Sequence, residues 1–395
     1  MNLRSRLSLT IALVLLMPAM LAAQPRYSDA GPEPVLASVF DQIEQNHWEN
    51  ALQLTESLIK AYPNFRLAHL VKGDLLLARA HPLTAFGEGG VKAAGDKVAD
   101  LRAEAIARLH AYQSRPAENY VPRYLLQMRP DQKHAVVVDT QKSRLYLYEN
   151  DNGRPRFVAD YYVTHGKLGA DKVREGDQKT PIGVYHVTAS LPRRKLTDFY
   201  GTGAFPLSYP NDWDKRMGRN GHGIWLHGTP SDTFSRPPKA SDGCVVLSNQ
   251  DLNALAANLQ VGLTPVIISN SIEWLSLDDW QAERKSLLNL IEEWRQDWES
   301  RDTARYARHY SRKFQADGLD YQGWIDHKQQ VNVGKTWIKV GTNNISMLRN
   351  PGPEEYVVVT FEQDYRSNNL SNLMKKEQYW IKEEGRWKII HEGAG

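Results

Sequence analysis

The only cysteine of this 395-residue chain, Cys244, closes the sequence S-D-G-C, and His227 precedes it in the sequence L-H-G-T. A thiol nucleophile needs a base that takes its proton and backbone N–H groups that stabilise the oxyanion formed on the substrate. His227 is suited to the role of base, and the turns at Gly228 and Gly243 let the backbone approach a substrate. The pattern therefore predicts acyl transfer through a thioester on Cys244, with the backbone amides around Gly243 and Cys244 in the oxyanion site.

Four residues near these motifs are predicted to contact the substrate. They are His222, Gly228, Thr229 and Asp242. His222 also fits a second base or a simple loop residue, and the sequence leaves these alternatives open. A zinc site formed by His222, His227 and Cys244 lacks the closely spaced ligand pairs typical of zinc sites. The sequence therefore predicts neither a metal nor a cofactor.

The N-terminus has the pattern of a secretory signal. Arg4 and Arg6 precede an apolar run over residues 7–21, and Ala22 and Ala23 offer a cleavage site. An uncleaved anchor is the alternative, but a membrane span needs about 20 apolar residues. We expect cleavage after residue 23 and no membrane span afterwards. Outside the cytoplasm structural cysteines usually pair, so an unpaired Cys244 indicates a chemical role.

The charge distribution argues against some partners. The chain has 49 basic and 46 acidic residues, a net charge of +3, and no long basic block. Nucleic acid is therefore not an expected partner. The small positive excess is compatible with an anionic polymer such as a cell wall.

The elements that position the site change character along the chain. Residues 35–114 show helical spacing of apolar residues, and residues 48–65 resemble a tetratricopeptide-type helix pair ended by Pro63. One such pair cannot bury its own apolar face, so we expect it to pack on a neighbour. From His134 to Ser269 the period becomes that of strands, with one helix capped by Ser248, which predicts a mainly antiparallel β domain. Residues 188–219 are predicted to form a loop over the site.

The composition changes again after residue 270, where most of the eleven tryptophans lie. An apolar stripe that includes Leu287, Ile291 and Trp298 predicts a long helix, and several strands follow it. Helices followed by a meander of strands favour an α+β domain with a helix-backed sheet. Core packing is the simplest interpretation of its aromatic residues.

Three ordered motifs carry a family resemblance: T-P-I-G at residues 180–183, L-H-G-T and S-D-G-C. Together they resemble the YkuD-type L,D-transpeptidase family over about residues 134–269. The resemblance implies a periplasmic enzyme that acts on peptidoglycan stem peptides, at the bond between meso-diaminopimelate and the terminal D-alanine. It implies Cys244 as nucleophile and His227 as base, and Ser241 matches the serine of the motif.

Two positions depart from the family pattern. Asp242 stands where many members have a histidine or a basic residue, and Val246 stands where many have an arginine that binds a substrate carboxylate. The C-terminal part resembles the SnoaL-like, nuclear-transport-factor-type fold of some cell-shape L,D-carboxypeptidases. The departures put the usual substrate binding in doubt and agree with a subgroup that trims peptides.

The sequence thus predicts a multi-domain α+β protein with four parts. They are a signal peptide over residues 1–23, a helical tetratricopeptide-like region over 24–130, a mainly-β catalytic domain over 131–270 and a SnoaL-like domain over 271–395. The predicted function is an L,D-transpeptidase of peptidoglycan. The alternatives are an L,D-carboxypeptidase with water as acceptor and a non-catalytic wall-binding scaffold. The helical region is a candidate surface for other cell-wall proteins.

Overall fold

The structure is a computed structural model that describes residues 31–90, 95–114 and 116–395. The predicted signal peptide, residues 1–23, lies outside the described residues. The architecture is mixed α and β, as predicted, with N-terminal helices, a central β domain and a C-terminal domain of helices on a sheet.

The N-terminal helices form one small apolar core. They are α1 (Glu33–Glu44), α2 (Trp48–Ala61), α3 (Arg66–Leu77) and α4 (Gly95–Gln113), with a 3-10 turn at Glu88–Gly90. Leu36, Val39 and Leu67 are buried in this core, and Phe234 from the central domain packs against it. The helix pair therefore packs on a neighbouring part of the chain, as expected from its incomplete core.

Two short strands follow the helices, in a stretch grouped above with the helical region. β1 (Tyr120–Pro122) pairs with β14 (Trp274–Ser276), and β2 (Leu125–Gln127) lies beside β17 (Ile338–Arg349) at the edge of the C-terminal sheet. Strands of three residues are too short for a recognisable alternation of apolar and polar residues. The chain thus contributes to the C-terminal sheet before it enters the central domain.

The central domain contains two main sheets. Its elements are β3 (His134–Asp139), β4 (Arg144–Asp151), β5 (Arg154–Tyr162), β6 (His165–Gly166), β7 (Gly183–His186), β8 (Leu191–Pro192), β9 (Gly203–Pro206), α5 (Asp212–Arg216), β10 (Trp225–His227), β11 (Lys239–Ser241), β12 (Val245–Val246), α6 (Asn249–Ala256) and β13 (Pro265–Ser269). The first sheet has the order β5-β4-β3-β13-β7 and the second the order β12-β10-β9-β8. Val136, Leu226 and Val245 belong to the apolar core that these sheets share.

Two local predictions in this domain have different outcomes. The helix start at Ser248 is confirmed, because its Oγ accepts a hydrogen bond from the Asp251 backbone N–H at 3.1 Å. The prediction of a plain loop over residues 188–219 is wrong. This stretch contains β8, β9 and α5, and β9 pairs with β10, the strand that carries His227. The G-A-F-P sequence of β9 has no alternation that would have indicated a strand.

The C-terminal domain packs helices on a long antiparallel sheet. Its elements are α7 (Leu277–Glu299), α8 (Thr303–Ala307), β15 (Gln315–Ala316), β16 (Leu319–Asp320), α9 (Tyr321–Val333), β17, β18 (Tyr356–Ser367), β19 (Ser371–Glu383) and β20 (Arg386–Ala394). The sheet has the order β2-β17-β18-β19-β20. Trp294, Trp298, Tyr306 and Tyr310 are buried between helices and sheet, which agrees with a role in core packing.

Candidate active site

The pairing of two short strands brings Cys244 and His227 together. β10 and β12 run parallel, with Leu226 opposite Val245 and His227 opposite Val246. Leu226 and Val245 are completely buried in the core of the domain. Because successive side chains of a strand point to opposite faces, His227 projects away from that core. Cys244 lies directly before β12, and its Sγ donates to the carbonyl oxygen of Gly223, two residues before β10, at 3.3 Å. The structure therefore places the predicted nucleophile beside the strand that carries the predicted base.

A tight turn presents the thiol. Gly243 has a φ of +130°, and a Cβ atom there would lie 2.7 Å from the Lys179 carbonyl oxygen, so only glycine fits. The Ser241 hydroxyl donates to the Cys244 carbonyl oxygen at 2.6 Å and accepts from the Gly243 N–H at 3.1 Å. The Gly243 amide, predicted to stabilise the oxyanion, is thus engaged within the turn. Ser241 holds the shape of this turn.

A residue of the T-P-I-G motif supports the same turn from the other side. Thr180 is completely buried, and its hydroxyl donates to the Gly243 carbonyl oxygen at 2.9 Å. The Thr180 hydroxyl oxygen also accepts a hydrogen bond from the Gly166 N–H at 2.9 Å. Thr180 was not among the predicted site residues, although the motif that contains it was recognised. Its contact explains why that motif accompanies the cysteine motif.

The hydrogen bond of His227 determines which ring nitrogen is available as a base. Its Nδ1 lies 2.7 Å from the Gly228 carbonyl oxygen. A carbonyl oxygen only accepts hydrogen bonds, so Nδ1 carries the proton and the neutral ring has its lone pair on Nε2. The rings of Phe199 and Tyr200 lie 5.8 and 5.1 Å from the imidazole and shield it from water. His227 is only 1% exposed.

Burial favours the neutral forms of the Cys244 thiol and the His227 imidazole. Desolvation raises the pKa of the Cys244 thiol to about 11, although a hydrogen bond from the Trp225 backbone N–H opposes this rise. Desolvation also lowers the pKa of His227 to about 4, and the nearby charge of Arg236 acts in the same direction. Near neutral pH the resting pair is therefore a thiol and a neutral imidazole.

This charge state predicts how alkylation of Cys244 depends on pH. We expect the rate of reaction with iodoacetamide to rise about tenfold for each pH unit between pH 6 and 9, because only the thiolate reacts and its fraction grows tenfold per unit below the pKa. The measurement is mass spectrometry of the labelled chain at several pH values. Cys244→Ala is the control, since the chain has no other cysteine. A plateau below pH 7 would contradict a neutral resting pair.

The other predicted substrate contacts lie in different environments. The His222 side chain is 79% exposed, and its Nδ1 is 3.5 Å from a Glu175 carboxylate oxygen. The Thr229 hydroxyl is buried and donates to the Thr233 carbonyl oxygen at 2.6 Å, so it stabilises the loop after β10. Asp242 lies on the surface beside the turn, where it accepts from Lys167 Nζ at 2.9 Å. These environments give no support to the predicted roles of His222 and Thr229 in binding substrate.

Asn249, which no motif indicated, packs behind the histidine. Its side chain donates to the Thr229 carbonyl oxygen at 2.8 Å and accepts from the Thr202 N–H at 2.9 Å. A Cβ atom at Gly228 would lie 2.1 Å from the Asn249 Oδ1, so the glycine of L-H-G-T makes room for this amide. Asn249 thereby joins β10 to the start of α6.

Within residues 31–90, 95–114 and 116–395, no group of three or more His, Cys, Asp or Glu side chains is arranged to hold a metal ion. In the same residues, no helix is both long and apolar enough to cross a membrane.

Comparison with known families identifies two domains. Residues 133–268 match the L,D-transpeptidase catalytic domain family, YkuD. Residues 286–393 match the Cds6 C-terminal NTF2-like domain family. The chain therefore contains a YkuD catalytic domain followed by an NTF2-like domain, which confirms the resemblance drawn from the motifs. No curated protein sequence matches the chain.

Solved structures of two bacterial proteins are similar to this chain over most of its length. The structure of Bd1075 from Bdellovibrio bacteriovorus is 29% identical with a TM-score of 0.63, and the match covers 70% of this chain and 98% of that one. The helical cell shape determining protein Pgp2 from Campylobacter jejuni is 26% identical with a TM-score of 0.59, and the match covers 68% of this chain and 95% of that one. The similarity therefore extends over nearly the full length of Bd1075 and of Pgp2, and over 68–70% of this chain.

Proposed function

We propose that this protein is a peptidoglycan L,D-carboxypeptidase that shortens tetrapeptide stems to tripeptides through a thioester on Cys244. The observation that carries the proposal is the pairing of β10, which carries His227, with β12, which Cys244 directly precedes. Deprotonated Nε2 of His227, which follows from the Gly228 hydrogen bond, supplies the base. The YkuD catalytic domain supports the class of reaction.

In the first half of the reaction, Sγ of Cys244 attacks the carbonyl carbon between diaminopimelate and the terminal D-alanine. The thiol proton passes to Nε2 of His227 as the S–C bond forms. The C–N bond then breaks, and the amine of D-alanine leaves with that proton. We propose the Cys244 backbone N–H as an oxyanion donor, because the Gly243 N–H is engaged by Ser241.

In the second half, water attacks the carbonyl carbon of the thioester. His227 accepts the proton of the water, the C–S bond breaks, and the Cys244 thiolate is protonated again. The products are a tripeptide with a free carboxylate and the restored enzyme. Water as acceptor is supported by the likeness over both domains to Pgp2, a helical cell shape determining protein, since trimming removes donors for cross-linking.

We further propose that residues 1–23 direct export to the periplasm, where the peptidoglycan substrate lies. The basic and apolar pattern of these residues supports this location, as does the cell-shape role of the similar protein.

The test is incubation of purified residues 24–395 with a defined tetrapeptide muropeptide, followed by mass spectrometry. We expect tripeptide and free D-alanine, no dimer, and no reaction with Cys244→Ala. Dimers joined through two diaminopimelates, or exchange of the fourth amino acid, would instead make the protein a transpeptidase. If the wild type and Cys244→Ala behave alike, the enzymatic proposal is wrong and a wall-binding scaffold takes its place.

A further inference from the structure

The loop between β10 and β11 carries an arginine beside the catalytic pair. The guanidinium carbon of Arg236 lies 4.6 Å from the centroid of the Phe199 ring. That ring lies 5.8 Å from the ring of His227. The Phe199 ring is therefore near both the guanidinium and the imidazole, and the guanidinium is one aromatic ring away from the imidazole.

Hydrogen bonds tie the backbone of Arg236 to the strand that follows the nucleophile. Its carbonyl oxygen accepts from the Tyr162 hydroxyl at 2.9 Å and from the Thr164 hydroxyl at 3.0 Å. The backbone of Thr164 in turn exchanges two hydrogen bonds of 2.9 Å with Val246, two residues after Cys244. The backbone of Arg236 is therefore anchored to the segment that pairs with Val246.

The N-terminal helices hold the same loop from outside. Glu104 on α4 accepts a hydrogen bond from the Ser235 hydroxyl at 2.6 Å. Phe234 packs against Tyr62 and Phe65, with ring centroids 4.8 and 4.9 Å apart. The residues immediately before Arg236 are thus fixed on both sides.

Arg236 differs from Lys167 and Lys172, two lysines near the thiol, because it makes no ion pair within the described residues. Lys167 is paired with Asp242 at 2.9 Å, and Lys172 with Asp177 at 2.8 Å. Among the residues that the structure describes, no carboxylate lies within ion-pair distance of Arg236, and its side chain is partly buried. Desolvation lowers its pKa, and the negative charges of a Cys244 thiolate and of Asp242 oppose this change. A partly desolvated guanidinium without a partner favours a bound anion.

We infer that Arg236 binds the free α-carboxylate of the terminal residue of the stem peptide, the residue that leaves when the thioester forms. This inference rests on the proposed function. A terminal residue extends only about 3.8 Å beyond the scissile bond, so its carboxylate must be bound close to the thiol. A guanidinium binds a carboxylate through two parallel N–H···O hydrogen bonds. These two bonds anchor the terminal residue and thereby orient the scissile carbonyl.

The same inference accounts for Val246, the position at which many family members have an arginine. Val246 is only 2% exposed and leaves no cation on β12. Arg236 supplies the positive charge from the neighbouring loop. The enzyme would then require a stem peptide whose last residue is free, which is the substrate of a carboxypeptidase.

The test compares a tetrapeptide that ends in a free carboxylate with the same peptide ending in a carboxamide. For the wild type we expect kcat/KM to be about 10- to 100-fold higher for the free acid, the usual value of a charge-assisted hydrogen bond. In Arg236→Gln we expect the free acid to react about as slowly as the amide, whereas the rate for the amide stays within about threefold. Arg236→Lys retains the charge and should recover part of the preference.

Arg194→Gln is the matched control, since Arg194 is an exposed arginine in the 3-10 turn Arg193–Lys195. It should leave both rates unchanged. The inference is overturned if Arg236→Gln keeps the preference for the free acid, or if it slows both peptides equally, as a purely structural residue would. A failure of the proposed function is distinct, because the wild type would then release no terminal residue from either peptide in a Cys244-dependent way.

Discussion

Replacing Cys244 by alanine is expected to reduce release of the terminal residue by about 10⁴-fold or more, because the thioester pathway is removed entirely. His227→Gln keeps a polar side chain but lacks a base of suitable pKa, and we expect a loss of about 10²- to 10⁴-fold in kcat. The double variant should be no slower than Cys244→Ala alone, since the two residues act as a unit. The measurement is steady-state release of D-alanine from a tetrapeptide.

The control for the histidine is His81→Gln, which changes an exposed histidine of the N-terminal region. It should leave kcat unchanged. Circular dichroism of each variant separates loss of the base from loss of the fold. If His227→Gln retains activity within about tenfold of the wild type, a factor well below general-base catalysis, then another group takes the thiol proton.

The second large effect concerns a buried ion-pair cluster between the N-terminal helices and the catalytic domain. Glu33 on α1 is 5% exposed, and its carboxylate lies 2.5 Å from Arg108 Nη1 and 3.0 Å from Arg144 Nη1. We expect Glu33→Gln to destabilise the protein by about 3–5 kcal/mol, because it leaves two buried guanidinium groups short of negative charge. Urea unfolding, with hydrogen exchange of the α1 and α4 amides, measures this loss.

The effect should depend on pH in a defined direction. Burial opposes ionisation of Glu33, but the charges of Arg144 and Arg108 prevail and lower its pKa to about 2. A carboxyl group with a lowered pKa in the folded state stabilises the fold above its unfolded value of about 4.3 and loses this contribution as the pH falls towards 2. The difference in stability between wild type and Glu33→Gln should therefore shrink between about pH 4 and pH 2.

Glu49→Gln provides the matched control in the same helical region. Glu49 pairs with Arg79 at 2.6 Å, but both side chains are largely exposed. Exposed pairs contribute only about 0–1 kcal/mol. If Glu33→Gln costs no more than Glu49→Gln, the buried cluster is not important for stability.

The cluster also links stability to the site. Arg108 donates to Glu104 at 2.9 Å, and Glu104 accepts from Ser235, the residue before Arg236. The guanidinium of Arg108 also lies 3.9 Å from the centroid of the Tyr162 ring, whose hydroxyl donates to Arg236. The N-terminal helices are therefore joined to the loop beside the thiol through buried contacts.

The sequence by itself predicted the chemistry that is proposed for the site. Residue type and local periodicity were sufficient to single out Cys244 and His227 with the S-D-G-C and L-H-G-T motifs. They also predicted the order of the helical, β and α+β regions. The helix start at Ser248 was readable for the same reason, since a cap acts within three residues.

Only the tertiary structure decided how these residues meet. The parallel pairing of β10 with β12 places His227 on the strand beside the one that Cys244 precedes, and a slip of one residue would turn the side chains of the shifted strand to the opposite face. The contact of Thr180 with Gly243 and the position of Arg236 beside Phe199 join residues distant in the chain. Such contacts depend on strand register and on packing between domains, for which short strands and scattered charges leave no periodic pattern in the sequence.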